Sequence, residues 1–245
     1  MKRLIFILIL TLSISAYSQR NITWIFASGS GAYGTSFFFN EASLNDDNIS
    51  YNYYSPSYYF GGRFGFIFGE TTGIVASIYK NTMTQGYIIE NNSSTQNVNA
   101  SIGMLQYDVM LLVQSETGFY FNVGPEFAKV KSAILNVSGA TDNQYDIMDK
   151  ITPNLTGLSF KMGIKPLRTD LIELNLGVTG TYFFSSLISQ SGYILPLHDR
   201  TFYNPAITDE KTFPVQLGIN LELVYTFARY GRASCGKNRI MINTF

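Results

Sequence analysis

Between residues 213 and 227 the chain switches between apolar and polar at almost every step. Phe213, Val215, Leu217, Ile219, Leu221, Leu223, Tyr225 and Phe227 fall on one parity, and Pro214, Gln216, Gly218, Asn220, Glu222, Val224 and Thr226 on the other. A period of two over this length predicts a strand with one apolar and one polar face. A helix would scatter the same apolar residues around its circumference. Residues 171–185 repeat the pattern, with Ile172, Leu174, Leu176, Val178, Tyr182 and Phe184 set against Glu173, Asn175, Gly177, Thr179 and Thr181. Residues 58–68, 99–115, 119–130 and 156–165 follow the same rule, and 22–40 and 73–90 follow it less regularly. Eight strands are predicted.

The connections alternate as well. Those at 70–72, 116–117 and 167–170 are short, whereas 41–57, 91–98, 131–154 and 187–212 are long and rich in Asn, Ser and Asp. Long and short connections in strict alternation predict an up-and-down meander with all long connections at one end. The fold class expected is all-β: an eight-stranded antiparallel up-and-down transmembrane β-barrel.

Composition agrees with a chain meeting lipid. Charged residues make up 14% of the sequence and aromatics 15%, with 19 Phe and 17 Tyr. About 25% charged is ordinary for a soluble domain. Beyond the first 18 residues no apolar run approaches the length of a membrane-spanning helix. Only helices and closed barrels satisfy their backbone hydrogen bonds in lipid, which leaves the barrel. A soluble barrel of lipocalin type would reverse the faces and need a more highly charged exterior.

The first 18 residues have the form of a secretory signal: Lys2 and Arg3, an apolar core at 4–14, then small residues at alternate positions up to Ser18. Its removal leaves 227 of the 245 residues and takes two of the 17 basic side chains, so the net charge moves from zero to −2. A near-neutral balance argues against nucleic acid as a partner. The single cysteine, Cys235, excludes a disulfide within the chain.

Charges inside the strands are expected in the barrel interior. Arg63, Asp108, Glu126, Lys161, Lys165, Glu173 and Glu222 all fall on the non-aliphatic parity, where opposite signs can pair. Lys or Arg facing lipid at mid-membrane costs about 2–4 kcal/mol, and about 0–1 near the interfaces. Lys129 breaks the rule by parity; entry into a long loop or a bulge at Pro125 would account for it. Lys80 lies in a strand too irregular for its face to be assigned.

A signal-like start, eight alternating strands and four long connections resemble the small eight-stranded outer-membrane β-barrels of the OmpA/OmpX-like superfamily. The low charge, the Asn- and Tyr-rich connections and the stretch Ser15-Ala-Tyr-Ser-Gln19 are similar to Bacteroidota versions, outer membrane protein β-barrel domains of which some are called PorT-like. The resemblance implies a signal peptide at 1–18, a barrel at 19–227 and a short basic periplasmic tail at 228–245. It implies location in the outer membrane, contact with outer-membrane lipid, and assembly by the barrel-assembly machinery. Gly218, Leu221, Leu223, Tyr225 and Phe227 resemble the terminal-strand assembly signal read by that machinery. A second reading takes residues 239–245 as an additional strand or the signal itself.

Candidate chemistry is sparse. The stretch GSGAYG at 29–34 fits the dinucleotide pattern G-x-G-x-x-G, but the β-prone Thr35-Ser-Phe-Phe-Phe-Asn40 follows where a helix is required. Its glycines are expected instead to make room for inward-pointing side chains. His198, the one histidine, has Ser185, Ser186, Ser189 and Ser191 near it in sequence, which leaves a lipid-modifying hydrolase as an alternative. No catalytic residue, cofactor or metal site is expected: one His and one Cys form no ligand set, and Asn45-Asp46-Asp47-Asn48 reads as an acidic loop tip. The Tyr-dense residues 51–59 suit an interface belt or a contact surface for protein or glycan. A structural, surface-interaction or envelope and secretion-accessory role is expected. A hydrolase and then a narrow channel are the alternatives; eight strands leave little lumen.

Overall fold

The computed structural model describes residues 23–69, 71–91, 94–138, 144–189, 195–196, 211–232 and 238–242. In chain order the elements are β1 (Thr23–Asn40), the single helical turn α1 (Glu41–Leu44), β2 (Ile49–Asn52), β3 (Pro56–Phe68), β4 (Thr72–Asn91), β5 (Ser94–Gln114) and β6 (Phe119–Val137). There follow β7 (Gln144–Asp146), a 3₁₀ turn (Met148–Lys150), β8 (Asn154–Arg168), β9 (Ile172–Phe183), β10 (Thr212–Arg232) and β11 (Asn238–Ile242).

Eight long strands pair antiparallel in the order β1-β3-β4-β5-β6-β8-β9-β10, and β10 returns to pair with β1. The closing pair runs from Thr23↔Tyr230 to Asn40↔Thr212, so the barrel has no open seam. Its stagger can be read from the register. Stepping from Lys129 through Leu105, Lys80, Phe60, Gly31, Leu221, Leu176 and Ile164 returns to β6 at Phe119, ten residues from the start. Eight strands with a shear of ten tilt the strands roughly 40° from the axis and leave an interior that side chains can fill.

Both described ends of the barrel chain and the short turns lie at one end, the turn end; the long connections lie at the other, the loop end. At the turn end, Gly69 and Gly118 take positive φ values of 66° and 91°, where a side chain would be strained.

Alternation sorts the side chains by face. Outward from β10 point Leu217, Ile219, Leu221 and Leu223, and from β3 point Phe60, Phe64, Phe66 and Phe68, all exposed. Phe119 and Lys129 mark the span of this apolar band on β6. Ten residues at about 3.3 Å each, tilted roughly 40°, make the band about 25 Å tall. Loop-ward of Lys80, Leu105 and Lys129 the polarity reverses. There Tyr87, Ile89, Val98, Ala100, Ile102, Leu135 and Val137 point inward and are buried, while Asn97, Asn99 and Asn136 point outward.

This reversal corrects two expected loops. Residues 91–98 belong almost entirely to the β4–β5 hairpin, whose pairing runs to Asn91↔Ser94. Residues 131–154 continue β6 to Val137 and contain β7 and the 3₁₀ turn. Their outward faces are polar, which reads in sequence as loop, but their inward faces build a core. Lys129 keeps its outward parity, and the β5–β6 register runs unshifted past Pro125 to Val123↔Leu111. The bulge sits instead at Lys131, between the pairs Gly103↔Ser132 and Met104↔Val130. Lys80 also points outward.

The terminal strand also differs from expectation. β10 continues to Arg232, past the barrel boundary at Phe227, and β11 pairs with it from Ala228↔Ile242 to Arg232↔Asn238. Of the two readings of the tail, the added strand is the one formed here. The signal region 1–18, His198 and Cys235 lie outside the described residues.

Candidate functional site

Inside the band, each strand sends its polar parity to the axis. Arg63 on β3 and Glu222 on β10 meet with Nη1 and Oε2 2.5 Å apart. Ser28 Oγ, 2.5 Å from Glu222 Oε1, and Asn175 Nδ2, 3.2 Å from Oε2, also donate to that carboxylate. Arg63 Nε donates to Ser77 Oγ at 3.3 Å, and Ser77 Oγ donates to Asp108 Oδ1 at 2.5 Å. Lys161 Nζ lies 3.9 Å from Asp108 Oδ2 and 2.5 Å from the Tyr79 hydroxyl. The same ammonium stands over the rings of Tyr79 and Tyr59, 4.2 and 5.2 Å from their centroids. Glu126 is held by Thr181 Oγ1 at 3.0 Å.

A second cluster closes the turn end. Lys165 Nζ lies 2.5 Å from Glu173 Oε2 and donates to Gln114 Oε1 at 2.7 Å. Arg168 pairs with Glu173 Oε1 at 3.2 Å and stacks over the Trp24 ring at 5.8 Å. Between the two clusters, Phe26, Ile67, Val75, Leu112, Tyr120 and Val224 form an apolar layer. All seven charges singled out from the sequence thus lie inside the barrel. The structure brings Arg63, Asp108, Lys161 and Glu222 into one network, places Glu126 beside it, and sets Lys165 and Glu173 apart.

Sequence reasoning missed the neutral partners of these charges. Ser77, Tyr79 and Asn81 sit two apart on the irregular β4, and that spacing was the available signal. It missed the serines of GSGAYG too. Gly29 and Gly31 point outward, so the expectation that they open space inside is corrected. Ser28 and Ser30 face the interior, where Ser30 Oγ accepts from Asn220 Nδ2 at 2.8 Å. Room is made elsewhere: a Cβ on Gly177 would meet the Met162 carbonyl first and lie 2.6 Å from the Tyr120 hydroxyl, so the bare backbone there serves both the strand approach and that ring.

Loop-ward of the charges comes a neutral polar layer, in which Asn81 Nδ2 donates to Gln216 Oε1 at 2.7 Å. Above it the barrel is filled by a large apolar core. Phe38, Met83, Tyr87, Ile102, Leu135, Leu155 and Phe183 are all nearly inaccessible there. The long connections contribute to it directly: Tyr51 from β2, Ile147 and Ile151 beside the 3₁₀ turn, and Leu187, Ile188 and Leu195. Asn40 caps α1 by accepting from Ser43 N at 3.0 Å, and Ser43 Oγ then donates to Leu195 O at 2.6 Å, tying two connections together. The loop end is a folded cap.

The Tyr-dense stretch divides between the two regions. Tyr51 is buried in the cap and Tyr59 in the barrel, while Tyr53, Tyr54 and Tyr58 are exposed. Tyr33 and Tyr54 bring their hydroxyls to 3.2 Å, and Phe37 stacks on Tyr53 at 6.5 Å. Ser185 and Ser186, candidates for a hydrolase, are engaged locally. Ser185 Oγ meets Thr156 Oγ1 at 2.8 Å, and Ser186 Oγ bonds the backbone of Ile188 and Thr212. Asp46 Oδ1 accepts from Asn48 N at 3.0 Å, the geometry of an acidic loop tip. Gly218, Leu221, Leu223, Tyr225 and Phe227 lie on β10, the strand that closes the barrel against β1.

No family model matches the chain, and no curated protein matches it. Among solved structures it is similar to the N-terminal β-barrel domain of Pseudomonas aeruginosa OprF, at 10% identity and a TM-score of 0.32, over 82% of this chain and 97% of that one. It is similar to Ail, the attachment invasion locus protein of Yersinia pestis, at 12% identity and TM-score 0.37, over 83% and 97%. The translocator domain of autotransporter NalP from Neisseria meningitidis matches at 6% identity and TM-score 0.30, over 87% and 91%. The barrel assignment itself rests on the closed register.

Proposed function

We propose that this chain is an integral outer-membrane β-barrel of the OmpA/OmpX-like kind, whose loop-end cap presents a surface to partners outside the cell. One observation carries the reading. A closed ring sends Leu217, Ile219, Leu221 and Leu223 outward at 54–65% exposure while Arg63, Asp108, Glu126, Lys161, Glu173 and Glu222 are buried inside. Water would penalise that outer face, whereas a bilayer core about 30 Å thick matches it. The reading includes export by the segment 1–18 and assembly through the terminal strand.

The role is structural or interactive. Side chains occupy the interior from the Lys165–Glu173 pair to the cap, broken by one small cavity lined by Arg63, Tyr120, Lys165, Glu173 and Glu222, which favours a plugged barrel over a channel. Exposed Tyr53 and Tyr54 on the cap are the residue type favoured where protein or glycan is contacted.

Fractionation with gel migration before and after boiling tests the location. A band in the membrane fraction that shifts on heating is expected; a soluble, unshifted band overturns the reading. Crosslinking on intact cells followed by pull-down tests the role. A specific partner linked through residues 53–54 is expected, and no such link from an intact barrel overturns the interaction role.

A further inference from the structure

The place where the outer polarity reverses is itself built asymmetrically. Lys80 on β4 and Lys129 on β6 flank Leu105 of β5 in one register line, and Lys131 follows two residues on. All three lysines are exposed on the outer face, and among the described residues no ion pair joins any of them to an acid. Strands lie about 4.8 Å apart, so Lys80 and Lys129 are separated by roughly 10 Å at their backbones.

The bulge adds a second feature. Because Gly103 pairs with Ser132 and Met104 with Val130, Lys131 is the extra residue, and both Lys131 and Ser132 are exposed. Gly103 has no side chain, and Ser132 Oγ takes the room beside it, 2.5 Å from where a Cβ would stand. On its other side Gly103 pairs with Thr82. Thr82 and Ser132 thus stand on either side of Gly103 on the outer face, with Lys80, Lys129 and Lys131 exposed on the two flanking strands. Directly turn-ward lie exposed Tyr107, Val109, Phe127 and Ile78.

We infer that this lysine and hydroxyl patch on the outer face of β4, β5 and β6 binds the phosphate headgroup of an anionic lipid whose acyl chains lie along the apolar band below it. The inference rests on the membrane reading above. Charge selects phosphate, because three lysines that form no ion pair among the described residues share this patch with two hydroxyl side chains. Position selects a lipid over free phosphate, because the apolar surface begins one register step below. Lysine stems can lie along that surface while their ammonium groups reach the headgroup level.

The test titrates the full chain in detergent with dioleoyl phosphatidic acid and counts retained lipid by native mass spectrometry. Dioleoyl phosphatidylcholine is the neutral control and excess inorganic phosphate the competitor. Wild type is expected to retain phosphatidic acid selectively, without displacement by inorganic phosphate. The triple variant Lys80→Ala, Lys129→Ala, Lys131→Ala is expected to lose at least about tenfold in retention, since each lysine near an anionic lipid surface contributes about fivefold. The corresponding triple arginine variant is expected to retain it. Equal retention by the alanine variant, equal retention of phosphatidylcholine, or displacement by inorganic phosphate each overturns the site. If the triple variant does not fold, the single Lys129→Ala and Lys131→Ala variants are each expected to lose about fivefold in retention, and no loss from either overturns the site. Failure of the membrane reading shows separately, as wild-type chain in the soluble fraction with no heat shift.

Discussion

Arg63 and Glu222 join strands that are not neighbours. β1 lies between β3 and β10, and the contact of 2.5 Å passes across its inner face, beside Ser28. The pair therefore braces the barrel across the strand that forms the closing seam.

Removing one partner strands the other charge in the interior. Glu222→Ala is expected to destabilise the barrel by about 3–5 kcal/mol, read from the urea midpoint of the heat-shifted band. The double variant Arg63→Met, Glu222→Leu, which removes both charges, is expected to fall closer to wild type. A Glu222→Ala midpoint within error of wild type would show that the pair does not brace the seam.

The orientation of the strands predicts a position-dependent cost for outward charge. Ile219, 65% exposed, lies near the middle of the apolar band. Ile219→Lys is expected to cost about 2–4 kcal/mol in a bilayer. Lys129→Ala, at the edge of the band, is expected to change stability by no more than about 1 kcal/mol. Equal effects at the two positions, measured by refolding into vesicles, would contradict the placement of the band.

The cap has its own core, so it should open without the barrel. Leu135 is fully buried among cap residues. Leu135→Ala is expected to cost about 2–5 kcal/mol within the cap. Chymotrypsin should then cleave at Tyr51 and Tyr87 while a heat-shifting barrel persists. Loss of the barrel together with the cap would show that the two unfold as one unit.

Burial pushes the Tyr51 phenol, in the cap, up to about 12, against the lowering pull of hydrogen bonds with Ser43 and the Asn40 carbonyl. A raised value in the folded state means that the neutral form's contribution is fully present below the unfolded value near 10. It is lost as pH rises toward about 12. Wild type should become more chymotrypsin-sensitive above pH 10 than Tyr51→Phe. Identical profiles for the two proteins would refute this contribution.

Within the apolar band the fold was legible because lipid outside and charge inside impose a strict period of two. The strands holding Leu217 to Leu223 and Ile172 to Val178 could be assigned, with their faces, from alternation alone. So could the inward parity of Arg63, Asp108, Lys161 and Glu222, since the cost of facing lipid leaves each charge one side. Beyond Lys80 and Lys129 the same alternation continues with its meaning reversed. Asn97, Asn99 and Asn136 face outward, so strand resembles loop in composition, and the cap was not legible.

Parity states which face a residue takes, but not which residue meets it across the barrel. That Ser28 reaches Glu222, that Ser77 links Arg63 to Asp108, and that Ser132 packs over Gly103 depend on a shear of ten and on one bulge. The sequence by itself determined strands, faces and turns, because those follow from local alternation and from solvent on each side. Only the tertiary structure decided the partners and the cap, because ring closure sets the stagger that brings distant strands into contact.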